Sequence, residues 1–355
     1  MKKKLIIISL NPVFKKFFFL KKLENRFQIY NFVYSNNYFN FKKLVSVTSK
    51  YKENVIILDL LPNIDFKIKN KKYLLNIINF YKFRKFFKDK NFYTIRLIDT
   101  QISNLDICDF FLINFLRKIL LNIKNLFFYN KYRFVDPNAV ILTGNKSNLI
   151  IPFSNCKKIY WHTNDYQKFL DLKLKPRLDK YAVYLDQHFD ENHDKILTGN
   201  PTNKLGNLYK ELRKFFFNTE NYFNLKKIII AKHPKRTSNI LEENFTKSAI
   251  KENKTAELVA NSSLVLAHCS LSISFAILYK KPIIFLTSKE LENTIYHKRI
   301  LLFAKFFRIP PINISEKNEN LKDFLSTNVN YNKYIDNYLK HSCSKVTQFS
   351  NMLIK

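Results

Sequence analysis

Short, wholly apolar runs recur along the chain between longer stretches in which apolar residues return every three or four positions. The runs at 4–9 (KLIIIS), 54–60 (NVIILDL), 92–98 (FYTIRLI) and 139–144 (AVILTG) read as strands, because a strand covered on both faces loses its alternation and becomes continuously apolar. Between them, 72–87 (KYLLNIINFYKFRKFF) and 109–128 (DFFLINFLRKILLNIKNLFF) carry the helical period. A second series of runs follows at 157–163, 180–186, 226–232, 263–269 and 281–287, with helical stretches at 202–217, 254–261, 271–280 and 289–307.

Strands that alternate with helices predict βαβ units and a parallel sheet. The series loses strand character near 165–179, where Pro176 falls, so the chain is expected to form two Rossmann-like αβα domains in the α/β class. The expected bounds are 1–165 for the first domain, 166–325 for the second and 326–355 for a helical tail that packs back on the first. The opening MKKKLIIISL has the charge of a secretory leader, but Asn11-Pro12 cuts its apolar run short, and a first strand is the better expectation. Arg117, Lys118 and Lys124 interrupt the most apolar helix, so no membrane crossing is expected.

Composition narrows the classes. The 355 residues hold 61 Lys and Arg against 28 Asp and Glu, a formal charge of +33. That excess favours polyanionic partners: nucleic acid, an anionic membrane surface or phosphorylated small molecules. The wealth of Lys, Asn, Ile, Phe and Tyr also matches the codon bias of an AT-rich genome. Residues 1–150 hold 28 basic and 9 acidic residues, a balance of +19, which leaves +14 for the rest and makes the first part the more basic. Cys108, Cys156, Cys269 and Cys343 lie far apart, without metal-ligand spacing, as expected of a reducing cytoplasm. The glycines are Gly144, Gly199 and Gly206, so neither the dinucleotide fingerprint nor the phosphate-binding P-loop can be written in this chain. No G-x-S-x-G elbow exists either.

Ligands of open α/β sheets sit beyond the carboxyl ends of the strands, and the polar residues expected there form a compact set. In IIIAKHPKR, Pro234 biases His233 toward an extended backbone at the strand tip, with Lys232 and Arg236 beside it. Such a tip suits a phosphate, or is a solvated strand end. In AHCSLS, His268, Ser270 and Ser272 stand where strand turns to helix; the hydroxyls would cap the helix, with or without an anion at its free N–H groups. Asp186 ends the strand 180–186, and Asp190, Glu191, His193 and Asp194 crowd the loop after it. That loop supplies carboxylates and imidazoles for acid–base work, while His193 and Asp194 also suit a loop-shaping pair. Gly144 follows a strand and would let a ligand approach. Asp165 begins a short helix, and Glu290 and Glu292 follow the last strong strand, where a carboxylate would take the hydroxyls of a ribose.

The two αβ domains, the His233-Pro234 tip and the serine-bearing turn resemble the GT-B glycosyltransferases, and among them the bacterial sialyltransferase and polysialyltransferase type. In that family an H-P motif and a paired Ser/Thr motif hold the cytidine monophosphate of a CMP-activated nonulosonic acid. His233 and Pro234 match the first motif; Ser270 and Ser272 match the second with Leu271 between them. The resemblance covers roughly 135–300. It implies domains facing a cleft, a nucleotide-sugar donor without a further cofactor, and a glycan or lipid-linked acceptor. Sialic, pseudaminic or legionaminic acid would be the transferred sugar. The family's base lies in an acidic pair followed by glycine, which this chain lacks, so Asp186 and then Asp165 are the candidates. The absence of D-x-D, and of a carboxylate–histidine set at ligand spacing, points to metal-independent transfer; the expected reading is an inverting enzyme of the cytoplasm, with the basic first domain against an anionic membrane. The rival readings are a UDP-sugar transferase, a UDP-N-acetylglucosamine epimerase and a basic nucleic-acid-binding protein.

Overall fold

The computed structural model describes residues 3–9, 27–33, 46, 48, 55–60, 71–98, 135–150, 155–190, 206–316, 320–325 and 330–345. Twelve strands are assigned among them: β1 Lys3–Ser9, β2 Phe27–Val33, β3 Val55–Asp59, β4 Tyr93–Ile98, β5 Ala139–Leu142, β6 Lys157–Tyr160, β7 Asp179–Leu185, β8 Lys227–Ala231, β9 Ile250–Lys251, β10 Ser262–Ala267, β11 Ile283–Thr287 and β12 Ile312–Asn313. The helices are α1 Lys71–Asp89, α2 Asn164–Leu172, α3 Leu208–Tyr222, α4 Ile240–Asn244, α5 Thr255–Asn261, α6 Ile273–Leu278, α7 Ile295–Phe307 and α8 Tyr331–Tyr334. The described residues fall into two compact units. One takes those up to Asn164 together with Asp336 onward, and the other Asp165–Ile335.

The first unit holds a six-stranded sheet in the order β2-β1-β3-β4-β5-β6, and every pairing is parallel. Its core shows why β1 is apolar without a break. Leu5 and Ile7 face one side with Phe27, Leu58, Ile141 and Trp161. Ile6 and Ile8 face the other, against Phe80, Phe83 and Phe87 of α1. Alternate side chains point to opposite faces and both are covered. Burying one such side chain contributes about 1.5–3 kcal/mol. The strand KKIY, read with the second series, instead pairs with β5 at the edge of this sheet. Pairing, not pattern, decides sheet membership, and the exposure of Lys157 and Lys158 fits an edge. Strand β2 escaped the pattern because Gln28 and Asn31 interrupt it.

The second unit holds the order β12-β11-β10-β7-β8-β9, again all parallel. Counted from β7, this is the 3-2-1-4-5-6 order of a doubly wound sheet, whose switch point lies between β7 and β10. Helix α3 buries Leu208, Leu212, Phe215, Phe216 and Thr219, a stripe at the spacing of one helical face. It begins later than the stretch expected at 202–217. Strands β9 and β12 are two residues each, too short to leave a period.

The expected helix at 109–128 lies outside the described residues. At the end of the chain, Tyr331–Tyr334 is α-helical and Ile335–Leu339 is a π-helix. Beyond it the segment lies against the first unit: His341 N–H donates to the Trp161 carbonyl at 2.9 Å, and the Ser342 N–H and hydroxyl both donate to Asn145 Oδ1.

Candidate functional site

At the carboxyl end of β7 stands Asp186, 3% exposed. Its carboxylate accepts four hydrogen bonds at once, two from backbone amides and two from one guanidinium. Oδ1 receives the His188 N–H at 3.1 Å and Arg236 Nη2 at 2.8 Å; Oδ2 receives the His233 N–H at 3.0 Å and Arg236 Nε at 2.7 Å. The bond to His188 is an Asx turn, local in sequence. Those to His233 and Arg236 reach across to the loop after β8. Burial pushes the Asp186 carboxyl up, but the Arg236 hydrogen bonds and charge, with the two backbone N–H groups, outweigh it and hold it below the ordinary carboxylate range.

Arg236 is spent on the same network. Its side chain is fully buried against Asp186. Nη1 donates to both oxygens of Asp190 at 2.7 and 2.9 Å and to Ser238 Oγ at 3.0 Å, and Nη2 also reaches the Tyr209 hydroxyl at 3.0 Å. Every N–H of the guanidinium is accounted for. Asp186, expected as the base, and Arg236, expected at the phosphate, are here each other's principal partners. Together they tie the β7 and β8 loops into one body.

What that body presents is a pair of histidines. His188, 2% exposed, has a left-handed backbone with φ of 53°. Its ring stacks on that of His233, with centroids 5.0 Å apart and planes 15° from parallel. His233 is half-buried, and its Nδ1 accepts the Lys235 N–H at 3.2 Å. With Nδ1 an acceptor, the neutral ring carries its proton on Nε2. No protein partner is recorded for Nε2 among the described residues. Burial, then the His188 ring, lowers the His233 pKa to about 4, so the ring is a neutral donor near pH 7. Sequence reasoning missed His188; the Asp186-x-His188 spacing of an Asx turn was the available signal.

On the other side of the switch point, after β10, Ser270 is 5% exposed and Ser272 is partly buried. Neither caps as expected: Ser272 is the N-cap residue of α6 without a side-chain cap bond. The turn is closed by backbone instead, with Ile273 N–H on the Ser270 carbonyl at 3.2 Å and Phe275 N–H on that of Ser272 at 3.1 Å. The Ser270 hydroxyl has no recorded protein partner among the described residues. His268 is fully buried; its Nδ1 lies 2.8 Å from the Leu286 carbonyl. That contact makes Nδ1 the donor and leaves Nε2 an acceptor without a partner among the described residues. Burial brings its pKa down to about 4. Its ring packs edge-on to Phe189.

Lys232, expected beside a phosphate, is paired with Glu242 at 2.8 Å and Glu252 at 3.0 Å. Pro234 is exposed in the turn. Glu290, expected at a ribose, accepts the Asn207 and Leu208 N–H groups at 2.9 and 3.2 Å and so caps α3; Glu292 is exposed. Asp165 in the first turn of α2 is half-buried and accepts the Ser274 hydroxyl. Burial raises its carboxyl above the ordinary range despite that bond and Lys168. Gly144 does allow a close approach, but to the chain itself. A Cβ there would lie 2.3 Å from the Asn337 carbonyl oxygen, and no positive φ is involved. His193 and Asp194, with Glu191, lie outside the described residues. No group of three potential metal ligands occurs among the described residues, and none of their helices is long and apolar enough to cross a membrane.

No family model and no curated protein matches the chain. Among solved structures it is similar to the wall teichoic acid polymerase TagF, at 11% identity over 99% of this chain and 88% of that one, with a TM-score of 0.45. It is also similar to UGT89C1 of Arabidopsis thaliana, at 9% identity over 90% and 86% of the two chains, with a TM-score of 0.41. A third is UDP-N-acetylglucosamine 2-epimerase from Rickettsia bellii, at 14% identity over 94% and 93%, with a TM-score of 0.36.

Proposed function

We propose that the chain is a glycosyltransferase of the GT-B type whose second unit holds a nucleotide-sugar donor at the β7/β10 switch point. The observation that carries the reading is His233: a half-buried ring at a strand tip, with its backbone N–H held by Asp186 and its Nδ1 by Lys235 N–H, leaving Nε2–H as the donor. A pre-positioned donor facing the developing charge of a leaving phosphate is the main electrostatic device of such transfer. The Ser270 hydroxyl, in the turn after β10 on the other side of β7, supplies a second contact. Asp186 and Arg236 are positioning residues on this reading.

The base falls to Asp165, whose raised pKa suits proton abstraction from an acceptor hydroxyl. The donor is proposed as a CMP-linked nonulosonic acid and the acceptor as a glycan or lipid-linked glycoconjugate. Transfer is taken as inverting and metal-independent, in the cytoplasm, with the basic first domain against an anionic membrane.

A thermal-shift titration with CMP, CDP, UMP, UDP and GDP, repeated on His233→Ala, tests this. A ligand that binds only the folded state raises apparent stability by mass action, about 2.7 kcal/mol at a hundred times its Kd. Stabilisation by CMP that the variant abolishes supports the nonulosonate transferase. Preference for UDP moves the donor to a UDP-sugar, and silence toward all five nucleotides overturns the reading.

A further inference from the structure

Helix α3 turns Leu208, Leu212, Phe215, Phe216 and Thr219 inward, and its opposite face carries Lys210, Arg213, Lys214 and Phe217, all exposed. Their spacings of three, four and seven place them in one patch, with a phenyl group 65% exposed among three cations. The two acidic residues of the helix do not balance that charge. Glu211 accepts the Ser315 hydroxyl at 2.8 Å and Glu220 the Ile228 N–H at 2.7 Å, so both carboxylates are bonded to the body of the unit. No ion pair or side-chain hydrogen bond joins Lys210, Arg213 or Lys214 to another described residue. Lys210 and Lys214 stand four apart, a like-charge spacing that costs an isolated helix stability. A lone exposed phenylalanine is ordinary on a protein surface. One set among unanswered cations suits a partner that is anionic outside and apolar beneath.

We infer that this face of α3 docks on an anionic lipid surface. Phe217 enters the boundary between headgroups and acyl chains, while the stems of Lys210, Arg213 and Lys214 lie along it and their charges stay with the lipid phosphates. Each cation brought to such a surface strengthens attachment about fivefold, so three give about a hundredfold before the phenyl group is counted. Nucleic acid is the other polyanion, and it fits less well. Single strands are held in a groove on several aromatics that stack successive bases, whereas this is the convex side of one helix with one aromatic. The inference goes beyond the transferase reading and does not depend on it: that reading gives the membrane to the basic first domain, and α3 adds a contact in the second unit.

The test uses the full chain with vesicles of phosphatidylcholine, alone and mixed with phosphatidylglycerol, prepared with and without lipid brominated on the acyl chain. Phe217→Trp puts an indole in the patch, and the native Trp161, 4% exposed, adds a constant background. Leu178→Trp is the control, since Leu178 is 75% exposed between α2 and β7 and stands beside Arg177. The expected result is a blue shift and bromolipid quenching in Phe217→Trp with the anionic vesicles only, and neither in Leu178→Trp. Lys210→Gln, Arg213→Gln and Lys214→Gln together should lower the affinity read at that indole about a hundredfold, with a thermal melt to show that the fold is kept. Sedimentation with the vesicles while the Phe217→Trp indole stays unquenched overturns the inference, as does equal quenching in both variants. A shift with a single-stranded oligonucleotide and none with vesicles overturns it in favour of nucleic acid. Failure to bind anionic vesicles at all overturns it and removes the membrane from the first domain as well, while nucleotide binding at His233 is read separately and stands or falls on its own.

Discussion

Both units place a buried aspartate at the carboxyl end of a strand beside their switch point and clamp it with arginine, but the two clamps differ in what surrounds them. In the first unit Asp59, the last residue of β3, receives the Nε groups of both Arg84 and Arg96 on one oxygen, at 2.8 and 3.0 Å. Burial, then the neighbouring Arg84, lowers the Arg96 pKa to about 10. In the second unit a single arginine answers two aspartates, and the remaining acceptor positions of Asp186 go to the amides of His188 and His233. The first clamp joins strand to helix, since Arg84 lies on α1 and Arg96 on β4. The second joins two loops and fixes imidazoles in them. A buried ion pair is a poor guide to function by itself; the groups its spare acceptors hold in place are the better guide.

That difference is breakable. Arg236→Met leaves two carboxylates facing each other in a buried site, and the expected loss of stability is about 3–5 kcal/mol by chemical denaturation. Arg84→Met leaves Asp59 with Arg96, so it should cost clearly less. Arg236→Lys should not restore the loss, because an ammonium cannot reproduce the planar fork. Equal costs in the two units would erase the contrast. Next in size is Gly144→Ala, which pushes a methyl into the Asn337 carbonyl and the Tyr338 backbone. About 2–3 kcal/mol should be lost, with the segment after Asp336 becoming sensitive to proteolysis while the second unit is unaffected.

Acid offers a third handle. His233 and His268 are held neutral with pKa values of about 4 against 6.5 in the free side chain. Between those values the unfolded chain binds more protons, so their contribution is complete above pH 6.5 and is lost as pH falls toward 4. By pH 5 each should have cost roughly 2 kcal/mol, seen as a fall in denaturation midpoint that His268→Phe lessens. The smallest effect is expected from Lys232→Met. Its partners Glu242 and Glu252 both reach solvent, at 24% and 61% side-chain exposure, so the change should be about 1 kcal/mol or less and leave nucleotide binding intact.

The sequence made the two sheets legible where strands were central and continuously apolar, as in Leu5–Ile8 and Ile228–Ala231. It hid the short edge strands β9 and β12, which have no room for a period. His233 was found because Pro234 and a four-residue apolar run mark a strand tip. The roles of its neighbours were not found, because their partners are distant in the chain. Arg236 meets Asp186 fifty positions away, Glu290 meets the start of α3 across 82, and Gly144 meets the chain near its end. Residue type and spacing announce a charge; only the fold shows which charges are already answered. Lys232, Arg236 and Glu290 turn inward to the protein, while His233 keeps a donor in reserve.

The most direct test is the side-chain nitrogen spectrum of histidine during titration with CMP and UDP, with His162 and His341 of the first unit as internal controls. The account predicts that one nucleotide moves the ring nitrogens of His233 and His188 and leaves those of His162 and His341 in place. Movement confined to the first-unit histidines, or no movement at saturating nucleotide, would contradict it.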